Sequence, residues 1–325
     1  METFRYSRIR AYQLCPQRHH YEYVEGIKTK PNPAMLMGQL FHECLEHYYK
    51  DDGKIGETLE KYQKAVLADE IPEELDQLEY TLTNYCQMYS DDIKNEEIVM
   101  CEEQLEDALG KGERFTIKAD RVVYNKNTRQ YILRDTKTSK KGPTRTHDDV
   151  YHNSQLLTYI PFIEDKLGVK IDAMEIDEVR FAKLIPPPLN NNGKPTGDRK
   201  RLTLTTYEDY YDLLCSMELE EAPEYQNVLD FMRCKPHPLF RRTRAHVSSR
   251  EVISNNMQDI FNTYKLIKCE HVFRNRGPLC RTCSYKALCN LDMHGVSEAS
   301  RAAAIVNLYR QITPDEEVES QISSE

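Results

Sequence analysis

From Met35 to Lys50 the apolar side chains Leu36, Leu40, Phe41, Cys44, Leu45 and Tyr48 recur three and four residues apart, the spacing that lines one face of a helix. Gly56 to Asp69 and Glu73 to Asp92 repeat that period. Ahead of them Ser7 is placed to cap a helix through Ile9, Tyr12 and Leu14, and Pro16 interrupts the pattern directly after Cys15. The chain up to Asn95 is therefore expected to be mostly helical.

The period then shortens to two. Glu97 to Leu105, Glu113 to Tyr124 and Gln130 to Lys137 read as strands, separated by the turn-rich Gly110-Lys111-Gly112 and Asn125-Lys126-Asn127. Alternation puts Phe115, Ile117 and Ala119 on one face of the middle strand and Lys118 and Asp120 on the other. In the third strand Tyr131, Leu133, Asp135 and Lys137 share a face. A helix from Val150 to Leu167 and a strand from Ala173 to Leu184 follow. Antiparallel strands, a helix and a returning strand predict an α/β fold with a mixed central sheet flanked by helices. Pro186 to Asp198 is a polar loop that Leu202-Thr203-Leu204-Thr205 closes as a strand, and Tyr207 to Glu220 and Ser248 to Lys268 are helical.

At 325 residues, with 39% hydrophobic and 30% charged, the chain fits one globular domain. That domain is expected over 1–312, with a helical part (1–95), a sheet and helix (96–185), a loop and helical insertion (186–268) and a cysteine segment (269–292). Residues 313–325 form an acidic tail expected to be disordered. No apolar run reaches the roughly 18 residues of a membrane span, and Met1-Glu2-Thr3-Phe4-Arg5 lacks a signal-peptide core. A cytoplasmic protein with no membrane partner is the expectation.

A formal net charge of −9 counts against a protein that coats nucleic acid. Local positive fields remain at Lys137, Lys140, Lys141 and Arg145, at Arg241, Arg242 and Arg244, and at Arg274, Arg276 and Arg281. An enzyme channel needs no more than that. No P-loop sequence occurs, so any helicase partner is a separate chain.

Two carboxylates, Asp120 and Asp135, with Lys137 two residues after the second, make a minimal site for metal-assisted phosphodiester hydrolysis. Carboxylate oxygens select Mg²⁺ or Mn²⁺, and a lysine on the same strand face supplies positive charge to the scissile phosphate. The cysteines add a second candidate centre. Ten in a chain without a secretory signal argue for metal rather than disulfides. Cys44, Cys86, Cys101 and Cys215 sit singly in amphipathic stretches, as small buried hydrophobes do. Cys280, Cys283 and Cys289 have metal-ligand spacing. Cys269 or His271 would complete a local zinc site, and Cys15 is the other candidate for the fourth position.

These residues, in this order, resemble the PD-(D/E)xK nucleases, in particular the RecB-like group with the AddB and RecB nuclease domains and the CRISPR-associated adaptation exonucleases. The likeness is carried by Ser7 to Tyr21 with Cys15-Pro16, Gly38-Gln39-Leu40-Phe41-His42, Ala119-Asp120-Arg121-Val122, Asp135-Thr136-Lys137-Thr138, Gln155 with Tyr159, and the terminal cysteines. It implies a metal-dependent DNA exonuclease with a restriction-endonuclease-like core, acting in recombination, repair or DNA processing. His42, Asp120, Asp135 and Thr136 would bind the catalytic metal and Lys137 would act on the phosphate. Gln155 would stand near the lysine and Tyr159 toward nucleic acid. Glu102 or Glu103 matches the upstream strand glutamate. Cys15, Cys280, Cys283 and Cys289 would hold a structural [4Fe-4S] cluster. Trimming DNA beside an integrase, or a catalytically silent DNA-binding scaffold of the same fold, are the alternatives.

Overall fold

The alternating stretches assemble side by side. In the computed structural model, which describes residues 2–30, 33–51, 53–54, 56–58, 60, 72–110, 113–247 and 249–311, β1 (Glu2–Arg5) pairs in parallel with the start of β4 (Glu113–Asn125). β3 (Glu96–Gly110), β4 and β5 (Gln130–Ser139) run antiparallel. β5 pairs in parallel with β6 (Ala173–Arg180), and β6 antiparallel with β7 (Phe240–His246). Among the described residues these strands make a six-stranded mixed sheet, as the pattern predicts. A separate ribbon pairs β2 (Ile27–Thr29) with β8 (Tyr309–Gln311).

Helices cover both sides. α1 (Tyr6–Leu14), the long α7 (Ser154–Leu167) and α10 (Arg250–Lys268) bury Ile9, Leu156, Ile160, Ile253 and Ile260 against Leu133 of β5 and Ile176 of β6. α3 (Pro33–Lys50) and α4 (Pro72–Met88) pack Phe41, Leu45, Leu78 and Leu82 with Val179, Phe181 and Phe240. Short helical turns join them: α2 (Pro16–His19) after α1, α5 (Asp92–Asn95) before β3, and α6 (His147–Tyr151) before α7. α8 (Tyr207–Ser216) and α9 (Pro223–Cys234) close a small core of their own around Tyr210, Leu214, Tyr225 and Leu229. α11 (Lys286–Met293) and α12 (Glu298–Leu308) complete the C-terminal segment. No helix among the described residues is long and apolar enough to cross a membrane.

Several local expectations change. Arg5, not Ser7, precedes the first helix, with no side-chain cap, because Glu2 to Arg5 is drawn into the sheet. The helix expected from Val150 breaks at His152-Asn153, where the Asn153 side chain accepts the Leu156 amide and restarts it as α7. Leu202 to Thr205 forms a turn instead of a strand, held by hydrogen bonds from Lys235 Nζ to the carbonyls of Leu202, Thr203 and Thr205. Cys44, Cys86 and Cys101 are buried as expected, but Cys215 is exposed. Most of the helix expected over Gly56 to Asp69, and the tail over 313–325, lie outside the described residues.

Arginines of β4, β5 and β7 are paired inside the protein on the α3–α4 side. The fully buried Arg134 donates to both Glu96 oxygens at 2.7 and 2.8 Å and to Glu175 at 2.7 Å. Arg242 reaches Asp177 at 2.7 Å and Asp92 at 2.8 Å, and Arg244 reaches Glu175 at 2.6 Å. Arg121 meets Asp177 at 3.1 Å and lies over the Tyr49 ring. Two of the arginines in the expected β7 field, Arg242 and Arg244, are thus spent on internal carboxylates. Removing one partner strands the others without solvent, at a cost of about 3–5 kcal/mol. Arg134→Met is therefore expected to lower unfolding free energy by that order in urea titration. A midpoint unchanged from wild type would contradict the network's role.

Candidate active site

β4 meets two different strands along one edge. β1 takes Glu113 to Thr116 and β5 takes Arg121 to Asn125, so residues 117–120 face the gap between them, while β3 runs along the opposite edge. Asp120 is the last residue of that gap. Where the β4–β5 ladder stops, the Thr136 amide is left without a strand partner, and Asp120 Oδ2 accepts it at 2.7 Å.

Glu102 lies across β3 from Asp120, between the register pairs Cys101↔Arg121 and Glu103↔Ala119, with a φ of 54°. A left-handed glutamate within a strand costs on the order of 1–3 kcal/mol and breaks the alternation. Glu102 turns inward while Glu103 stays exposed, which resolves the choice the sequence left open. α3 supplies the third group: His42 Nδ1 is 3.2 Å from Glu102 Oε1 and 3.4 Å from Asp120 Oδ2. One helical turn earlier, Gly38 lets α3 approach β5, since a Cβ there would stand 3.0 Å from Thr138 Oγ1.

Beside this trio stands a second cluster. Lys137 Nζ lies 3.0 and 2.8 Å from the two Asp135 oxygens and donates to Gln155 Oε1 at 3.2 Å. Gln155 Nε2 donates to Tyr159 Oη at 3.1 Å and reaches Asp135 Oδ1 at 3.4 Å. Tyr159 is buried, its ring edge-on to Tyr6, so it holds Gln155 rather than facing outward. Thr136 contributes its amide to Asp120, and its hydroxyl accepts from Arg121 at 3.4 Å. Lys118, on the strand face expected for Asp120 but given no role there, pairs with Glu102 at 3.0 Å.

Negative charge crowded out of water sets the electrostatics. Burial and the facing charge of Asp135 push the Asp120 carboxyl up to about 7. Burial would lower His42, but its hydrogen bond to Glu102 and the charge of Asp120 outweigh it and raise the imidazole above its ordinary value. Burial would likewise lower Lys137, yet Asp135 and Asp120 hold its ammonium above the usual lysine range. Lys137 is therefore a cation at neutral pH, not a base.

Among the described residues, one group of metal-ligating side chains has donor atoms all within 4.8 Å of one another: His42, Glu102 and Asp120. Two carboxylates and an imidazole suit a divalent cation. The neighbouring Asp135 Oδ2 fits as well: it is buried with no hydrogen-bond partner, although Lys137 Nζ stands 2.8 Å away.

This finding corrects the expected [4Fe-4S] site. Cys15, Cys280, Cys283 and Cys289 line one cavity of about 360 Å³, but they do not form such a converging ligand group. Cys280 is exposed with its Sγ toward the Asn275 carbonyl, and Cys283 and Cys289 pack against the Tyr21–Tyr285 cluster. The joining of distant chain segments expected of a cluster is achieved by hydrogen bonds. Tyr12 Oη donates to the His271 carbonyl, Gln17 N to Phe273, Asn275 Nδ2 to Leu14, and Tyr285 Oη to Ile27. The narrower likeness to iron–sulfur RecB-like enzymes falls with the cluster.

The raised Asp120 carboxyl makes metal-free stability depend on pH. In the unfolded chain an aspartate ionises near 3.9, whereas the folded one keeps its proton until about 7. Folding stability is therefore greatest below about 4 on this account and is lost as pH rises to about 7, at up to about 1.4 kcal/mol per unit. Asp120→Asn, which still accepts the Thr136 amide, is expected to flatten that slope and raise the EDTA-treated melting temperature at pH 8. Parallel melting-temperature profiles for the two proteins would contradict this.

The sequence profile described as the PD-(D/E)XK nuclease superfamily matches residues 3–290. No curated protein matches the chain. That match spans both the mixed sheet and the carboxylate–lysine site built on its β4–β5 gap. The chain belongs to the PD-(D/E)XK nuclease superfamily.

Proposed function

We propose that the protein is a divalent-cation-dependent deoxyribonuclease that hydrolyses phosphodiester bonds from DNA ends. The observation that carries the reading is the junction of the His42–Glu102–Asp120 group with the Asp135–Lys137 pair at one break in the sheet. A bound divalent cation supplies positive charge to the phosphate and acidifies a water at neutral pH. His42, Glu102 and Asp120 would hold it, with Asp135 turned toward the same gap. Lys137, protonated, meets the negative charge that grows on the phosphate oxygens as water adds and the bond to the departing sugar breaks. Gln155 fixes Lys137 and Asp135 together, and Tyr159 fixes Gln155, so both are positioning residues. Action from ends is suggested by the motifs that do not involve the cysteines, Gly38 to His42, Asp135-Thr136-Lys137 and Gln155 with Tyr159, which resemble those of exonucleases in this superfamily.

Lys137→Ala and Asp135→Asn are each expected to reduce DNA cleavage about a hundredfold or more. Near-normal turnover by either purified variant would remove the proposed site. His42→Ala is expected to weaken cleavage and to be partly restored by raising Mn²⁺, because mass action offsets a lost ligand. Superimposable Mn²⁺ titrations would exclude His42 from the ligand set. Consumption of end-labelled linear DNA with circular DNA left intact tests the exonucleolytic reading, and equal loss of both would replace it with endonucleolytic action.

A further inference from the structure

The two faces of β6 and β7 treat positive charge differently. On the α3–α4 side Arg242 and Arg244 are matched by Asp92, Asp177 and Glu175. On the side shared with Lys137, strand register aligns Lys137 of β5 with Glu178 of β6 and Arg241 of β7, and aligns Ser139 with Arg180. Side chains in direct register stand on one face. Glu178 is buried and anchors the segment after β5: it accepts the Thr144 amide at 3.1 Å, the Arg145 amide at 2.8 Å and Arg145 Nη1 at 3.1 Å. That carboxylate holds Arg145 over β6 while leaving the rest of its guanidinium uncommitted to it. Arg145 is close enough to Lys137 for the two charges to oppose each other.

Arg180 lies next along the row. Its Nε is buried with no hydrogen-bond partner, and its Nη1 is 3.6 Å from where a Cβ on Gly142 would stand, beside the exposed Lys140 and Lys141. A buried guanidinium nitrogen without an acceptor is costly. The carboxylates of Glu178 and Asp149 act on Arg145, and Arg180 with the exposed Lys140 and Lys141 adds positive charge that an anion would complete.

We infer that Arg145, held beside Lys137 by the Glu178 anchor, and Arg180, two residues further along β6, form a phosphate track for the nucleic-acid strand adjoining the scissile bond. The inference rests on the nuclease reading above and extends it to how the strand is gripped. Arginine forks suit phosphate oxygens, and contacts of this kind set position without reading sequence.

The test is binding of a labelled single-stranded oligonucleotide to the full chain in EDTA, by anisotropy across a salt series. Arg145→Gln and Arg180→Gln are each expected to weaken binding equally for two unrelated sequences and to reduce the slope of log affinity against log salt by about 0.7. Arg145→Lys and Arg180→Lys, which keep the charge, are expected to keep the wild-type slope. Melting temperatures confirm folding, and if a Gln variant does not fold, wild-type slope in its Lys counterpart together with a reduced slope in the other Gln variant supports the track. Wild-type slopes in both Gln variants, or weaker binding with no change of slope, would overturn the track alone. A wild-type protein that cleaves DNA with Mn²⁺ yet does not bind the strand would overturn the track and leave the nuclease reading standing, whereas one that neither binds nor cleaves would remove both.

Discussion

The edge of β4 between β1 and β5 is the constraint on which the site depends. A strand edge left bare inside a protein exposes amide groups that need partners, and Asp120 meets that need by accepting the Thr136 amide. The same hydrogen bond fixes one carboxylate at the gap. Asp135 and Lys137 then follow from strand geometry, Glu102 from its left-handed backbone in β3, and His42 from the close approach of α3 at Gly38. Their mutual charge is unfavourable without a cation, so the site is held by the fold rather than by its own contacts.

What holds it is the polar network behind the sheet. Arg121 follows Asp120 in sequence and points to the other face, toward Asp177, Tyr85 and the Thr136 hydroxyl. Arg134 precedes Asp135 and is enclosed by Glu96 and Glu175. Asp120 and Asp135 are thus each flanked in the chain by a buried arginine anchored elsewhere. Ion pairs of this kind contribute little net stability over apolar packing, but they admit few alternative arrangements. Here they pin the two residues whose spacing matters most.

Much of this was legible in the sequence because it is local. Face parity alone puts Asp135 and Lys137 together, and the helical period of α3 runs through His42. Glu102 was ambiguous because a left-handed residue defeats alternation, and nothing in Glu102-Glu103 announces which one adopts it. β7 was missed for a different reason. Phe240 to His246 carries arginines whose carboxylate partners lie far away in sequence, so its burial depends on tertiary structure. β1 is too short to show a period. The cysteines misled because spacing proposes a ligand set without saying whether four sulfurs converge, and here they line a cavity without doing so.

The hydrogen bonds joining residues 12–27 to residues 271–309 have a consequence for how the chain comes to be folded. Among the described residues β2 pairs only with β8, and Tyr12, Gln17 and Leu14 find their partners in the segment from His271 to Asn275. During ribosomal synthesis those early residues emerge long before their partners do. The central sheet can close once β7 has left the ribosome, but the early helices must wait, with Tyr21 and Ile27 still exposed, until nearly the whole described chain has been made. Contacts of such sequence separation fold slowly. The most vulnerable interval is therefore the synthesis of the stretch between these partners, when residues 12–27 are out but residues 271–309 are not yet there to cover them.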